Sequence, residues 1–174
     1  MSEDRFGTKI DQNISSAQEA LELTGLTYQV RKEALYLANG DMVRNRYATV
    51  RTDIDGPDSI LGIISRGYQV IQNSEVLSIF DPLIESKQLV YERIGVLGNG
   101  YRMWMLIRLP DPMIIRGNDE VNKYILVTNS FDGSLSVNIK LTAIRVVCSN
   151  SIGFALGSSG ENIHIRHIGA TTYQ

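Results

Sequence analysis

The side chains best suited to chemistry gather in the last third of the chain. Thr128-Asn129-Ser130-Phe131-Asp132-Gly133 is a run of short polar residues, and Lys140, Arg145, Arg166 and His167 follow it. Cations, amides and hydroxyls in that company suit phosphate contact along a groove. Tyr101 and Trp104 add rings on which bases can stack, although Trp104 equally suits a core. Asp132-Gly133 also has a plainer use, because that dipeptide fits a tight reversing turn. An enzyme built on Asn129, Asp132 and Arg145 lacks a paired nucleophile and base, so catalysis is not the expectation.

Other constellations fall short of a site. His164 and His167 are three apart, which puts them on opposite faces of a strand and prevents them from chelating one ion. Asp53, Asp55 and Asp58 echo a calcium loop, yet Pro57 and a missing later Glu break its pattern. Cys148 stands in Val-Val-Cys-Ser-Asn with no adjacent base and reads as a packed thiol. The glycines of Gly95-Val-Leu-Gly98-Asn-Gly100 lead into a strand, so no helix dipole is there to hold a pyrophosphate. Neither a metal nor a cofactor is expected.

The elements that must position these residues can be read from periodicity. Ser15 or Ser16 caps a short helix bearing Ala17, Ala20, Leu21 and Leu23, stopped by Gly25. Strand-like pieces over 26–52 flank Asn39-Gly40-Asp41, a hairpin signal. After a polar loop over 53–58, the β-branched run Ile60 to Ile64 predicts a buried strand. Asn73 or Ser74 then caps a helix carrying Val76, Leu77, Phe80, Leu83 and Ile84, with a kink or early stop at Pro82.

From residue 88 the pattern is sheet-like. Hairpins are expected across Asn99-Gly100 and across Asp132-Gly133, giving a meander of at least four strands. Thr142 is placed to cap a helix with Ile144, Val147, Cys148, Ile152 and Ala155 on one face, although its β-branched start suits a strand equally. Asn162 to Ile168 alternates as a final strand. The fold class expected is α+β: a mostly antiparallel sheet, a meander of hairpins, packed by two or three helices. Residues 1–13 read as a flexible N-terminus and 14–174 as one domain.

Composition sets the outer bounds. A chain of 174 residues with 43% hydrophobic and 21% charged side chains is ordinary for one globular domain. No apolar run approaches the ~20 residues of a membrane span, the N-terminus lacks the apolar core of a signal peptide, and a lone cysteine fits a reducing compartment. A cytoplasmic location with no membrane partner is the expectation. The net charge of -2 excludes polybasic binding of nucleic acid, so any such contact is local. Up to Gly133 the chain has 14 basic and 18 acidic residues; beyond it, 3 basic and 1 acidic.

Several of these stretches also carry a resemblance. Gly67-Tyr68-Gln69-Val70-Ile71-Gln72-Asn73 comes first, then Trp104 ahead of Leu-Ile-Arg-Leu-Pro, then Thr-Asn-Ser-Phe-Asp-Gly-Ser from Thr128. Leu-Thr-Ala-Ile-Arg-Val-Val-Cys-Ser-Asn from Leu141 and Ile-Arg-His from Ile165 complete the order. Over about residues 40 to 170, that order and spacing resembles the phage/plasmid-like protein family, domain of unknown function 932. Two positions depart from the family pattern: Phe131 stands where His is common, and Ala143 where Pro is. The resemblance implies an architecture that continues through a helix-rich part beyond this chain, and a home in phages, prophages or plasmids.

The strands-then-helix order is also similar to phage single-strand annealing proteins of the RecT and Redβ kind. The leading expectation is therefore a non-enzymatic binder of single-stranded DNA in recombination or replication, using Lys140, Arg145, Arg166, His167 and Asn129. The alternative is a protein-interaction module whose acidic front contacts a host or phage protein. Annealing proteins are usually rings or filaments, and an open edge over 162–168 would allow a homo-oligomer.

Overall fold

The computed structural model describes residues 7–10, 14–52, 58–115, 119–143, 155–158 and 161–168. Its framework is broadly α+β and mostly antiparallel sheet. A six-stranded sheet runs β1 (Thr8–Lys9), β5 (Val90–Leu97), β6 (Arg102–Arg108), β9 (Tyr124–Ser130), β10 (Val137–Thr142), β11 (Asn162–Ile165). A second sheet runs β2 (Gln29–Tyr36), β3 (Met42–Thr52), β4 (Ser59–Ser65). A small hairpin, β7 (Met113–Ile115) with β8 (Asp119–Val121), interrupts the meander between β6 and β9.

Turn chemistry placed the hairpins. Gly40, Gly100 and Gly133 have φ of 89°, 97° and 76°, a region open to glycine at no steric cost. The helix α1 (Ala17–Thr24) starts where Ser16 accepts a hydrogen bond from the Glu19 amide and ends on left-handed Gly25.

Four expectations need correction. The periodicity around Pro82 marks two short helices, α2 (Asn73–Ser78) and α3 (Asp81–Glu85). Pro82 sits in the first turn of α3, where its missing N–H breaks no bond. The cap of α2 is Gln72, boxed with Glu75, and the expected cap Asn73 turns its amide into the core. In β4, Leu61 and Ile64 are buried but Ile60 and Ile63 are exposed, because the strand's side chains divide between a covered face, where Leu61 joins Tyr28, Val30 and Phe131, and an open one. Thr142, placed to cap a helix, ends β10 opposite Tyr124. The helix expected after it falls on residues 144–154, outside the described residues together with Arg145 and Cys148, while 155–157 is helical. Finally, Thr8 and Lys9, within a stretch expected to be loose, pair with Ile94 and Arg93 and bring Ile10 into the core.

Both faces of the central strands are buried. On one, Met103, Met105, Ile107, Ile94 and Val127 join Ala20, Leu21, Val76, Leu77, Phe80 and Ile84 in a single cluster. On the other, Trp104, Leu106, Tyr124 and Leu126 surround Ala155. A third cluster of Tyr28, Val30, Leu61 and Phe131 ties the small sheet to the hairpin ends of the large one. Polar bonds reinforce that junction: Thr49 Oγ1 donates to the Phe131 carbonyl at 2.6 Å, and Asn99 Nδ2 to the Ile60 carbonyl at 3.1 Å.

Candidate functional site

The junction of the two sheets also builds the candidate site. Beyond Gly67 the chain leaves β4, and Tyr68 forms an isolated antiparallel bridge with Ile168. The Gln69 amide donates to the His167 carbonyl at 2.9 Å, so the end of the chain is laced to the exit of β4. The rings of Tyr68 and His167 stack with centroids 4.7 Å apart and planes 11° off parallel. Tyr68 donates its hydroxyl to the Ser130 carbonyl at 2.6 Å, which anchors the stack to the end of β9.

Over this stack lies a groove of about 340 Å³, lined by Tyr68, Ser134, Ser136, Arg166, His167 and Ile168. Ser134 sits in the 132–134 turn, where its amide and hydroxyl both donate to Asp132 Oδ1 and its hydroxyl accepts from Arg102 Nη2 at 2.8 Å. Arg166 is exposed at the rim. Hydroxyls, a guanidinium and an aromatic wall are the group types that suit anionic, ring-bearing ligands.

Burial disfavours the charged form of His167. Its Nδ1 lies 3.0 Å from the Gln69 carbonyl, an acceptor only, so Nδ1 carries the proton. Among the described residues Nε2 is enclosed without a hydrogen-bond partner, and burial pulls the imidazole pKa below its ordinary value despite the opposing bond to Gln69. The ring serves as a neutral stacking plate.

The other sequence candidates scatter. Lys140 is buried, and its ammonium donates to the carbonyls of Leu156 and Ser158, holding the helical turn at 155–157 against β10. It offers nothing to a phosphate. Trp104 fills the core, with Gly7 and Gly95 pressed so closely on its indole that a Cβ at either would lie under 3 Å from the ring. Stacking on a base is closed to it. Tyr101 is half-buried beside Phe131 and Tyr28. Asn129 is fully buried: Nδ2 donates to the Ile71 carbonyl at 2.9 Å and to Asn73 Oδ1 at 3.0 Å, and Asn73 in turn donates to the Tyr28 hydroxyl at 3.3 Å. It is a structural link. Asp132 and Gly133 do form the expected turn, and Gly62 of β4 packs directly on it, its nearest possible Cβ position 2.5 Å from the Asp132 Cα.

Sequence reasoning missed the exposed arginines of β3 and of the segment that follows β4. Arg44 and Arg46 are exposed on β3, Arg46 is the register partner of Ser65, and exposed Arg66 comes next in the chain, two residues before Tyr68. Lys32 ties this end together, donating to the carbonyls of Arg66 and Tyr68 and standing 4.5 Å over the Tyr47 ring. Among the described residues no ion pair occupies Arg44, Arg46, Arg66 or Arg166, whereas Arg31 is taken by Glu33 and Asp58. The alternating Arg-Asn-Arg of β3 was the available signal, hidden by the acidic balance of the chain before Gly133.

Among the described residues no group of three His, Cys, Asp or Glu side chains could hold a metal ion, and no helix is long and apolar enough to cross a membrane. No curated protein and no solved structure matches the chain. A family model does: domain of unknown function DUF932, over residues 60–174, a stretch that contains β4 from its second residue, the Tyr68–His167 stack and every residue lining the groove. With about two thirds of its length in that match, the chain belongs to the DUF932 family.

Proposed function

We propose that this chain is a non-enzymatic protein of phages or plasmids that binds single-stranded DNA through the surface running from β3 to the groove. The observation that carries the reading is the set of exposed arginines with no carboxylate partner among the described residues, Arg44, Arg46, Arg66 and Arg166, in a chain of net charge -2. An acidic chain that leaves exposed arginines without ion pairs among the described residues has a local use for them, and phosphodiester neutralisation is a use that fits such guanidinium groups. Tyr36, exposed at the tip of the β2–β3 hairpin, takes the stacking role that Trp104 cannot fill. The likeness to annealing proteins is one of strands followed by a helix, and such an order by itself assigns no function.

Fluorescence anisotropy of a labelled oligothymidylate, titrated at several salt concentrations, tests the reading. Binding at low salt with log K falling linearly in log salt is expected, with a slope of about -0.7 per phosphate contact. Arg66→Ala with Arg166→Ala should weaken it roughly tenfold or more and flatten the slope. No binding at low salt, or binding indifferent to these arginines, overturns it; a protein partner recovered after nuclease treatment would then favour an interaction module.

A further inference from the structure

The large sheet is open at β11. Among the described residues the outer edge of Asn162–Ile165 has no strand beside it, and an unpaired edge is a template for another strand. The side chains there are not those of a guarded edge. Ile163 is 60% and Ile165 44% exposed, and Leu141 on β10 is 47% exposed. Ile163 lies opposite Ile139 and Ile165 opposite Val137, so both share the face on which Val137 and Ile139 join the main hydrophobic cluster. Among the described residues the core therefore runs out onto the edge and stops there uncovered.

We propose that β11 pairs with the β11 of a second copy of this chain, antiparallel about a twofold axis through His164. The occupant is argued from the strand's own self-complementarity. Of the twofold registers available, centring on His164 alone sets each isoleucine opposite an isoleucine: Ile163 faces the second copy's Ile165, and Ile165 its Ile163. A register centred on Ile163 would instead set Ile165 against Glu161, and one centred on Ile165 would set Ile163 against buried His167. The chosen register also places Asn162 opposite Arg166. Among the described residues Asn162 Oδ1 is enclosed with no hydrogen-bond partner in the single copy, and Arg166 is exposed and outside any ion pair. Rotation of the amide lets the guanidinium donate to it, so the register supplies a partner for an orphaned acceptor.

The test uses the full chain without nucleic acid, so its outcome is separate from that of DNA binding. Sedimentation velocity should show a concentration-dependent dimer. Ile163→Lys, at an exposed position that leaves the core intact by circular dichroism, should raise the dissociation constant by roughly tenfold or more. In a Cys148→Ala background, His164→Cys should cross-link into dimers on mild oxidation, because residue 164 faces itself across the axis, while Ile163→Cys should not. A wild-type chain that stays monomeric to its solubility limit, or a dimer indifferent to Ile163→Lys, overturns the pairing; equal cross-linking of the two cysteine variants overturns the register.

Discussion

Asn129 has the residue type of a ligand contact and the surroundings of a structural post. Its amide joins the Ile71 carbonyl to Asn73, and through Asn73 to the Tyr28 hydroxyl, which donates to the Gly100 carbonyl at 2.9 Å. Removing it leaves buried groups unpaired, a loss of about 1–3 kcal/mol per group. Asn129→Ala should therefore lower the unfolding free energy by about that amount in urea titrations, while leaving oligonucleotide affinity per folded molecule unchanged. His167 predicts a pH dependence. Its folded pKa is depressed below the ordinary ~6.5, so the unfolded chain binds the proton more readily. The stability contributed by the neutral ring is fully present above that ordinary value and is lost as pH falls below it. Denaturation curves at pH 7.5, 6 and 5 should show a decline that His167→Gln reduces; an unchanged slope in the variant would refute this assignment.

At the scale of elements, close approach decides more than propensity. Hairpin turns were legible because Asn-Gly and Asp-Gly need positive φ, a local requirement. The contact of Gly62 with the 131–133 turn was not, since nothing near residue 62 in sequence names its neighbour. Adding a methyl group there drives β4 off Asp132, whereas Gly67 faces open space at an unexceptional φ. Gly62→Ala should destabilise by about 1–3 kcal/mol through overpacking, and Gly67→Ala should be neutral or stabilising by up to about 1 kcal/mol. Thermal melts of the two variants side by side check this, and similar shifts would count against the packing argument. The same limit explains the helix after Gln72. Periodicity named its apolar face correctly, but the break at Ile79 and Phe80 depends on how two short helices seat on the sheet.

Across the whole molecule, the two sheets are joined by a shared cluster around Phe131 and by hydrogen bonds such as that of Thr49 to the Phe131 carbonyl. Unfolding of one sheet would strip the other of its cover, so Trp104 fluorescence, which reports the large sheet, should lose its native signal together with far-UV circular dichroism. Thr49→Val, which keeps shape and removes the donor, should shift both transitions together by about 1–3 kcal/mol. Separate transitions would mean that the sheets are independent units.

By itself the sequence determined the antiparallel meander, the first helix with both its caps, the turns, and the family, because these rest on local periodicity, turn residues and ordered motifs. Only the tertiary structure decided which polar and aromatic side chains face a ligand. Lys140, Trp104 and Asn129 have the chemistry of a binding site, yet strands packed on both faces enclose them, and Arg44, Arg46 and Arg66 stay outside because the small sheet has an open side. Exposure is a property of what packs against a residue, and those neighbours lie far away along the chain.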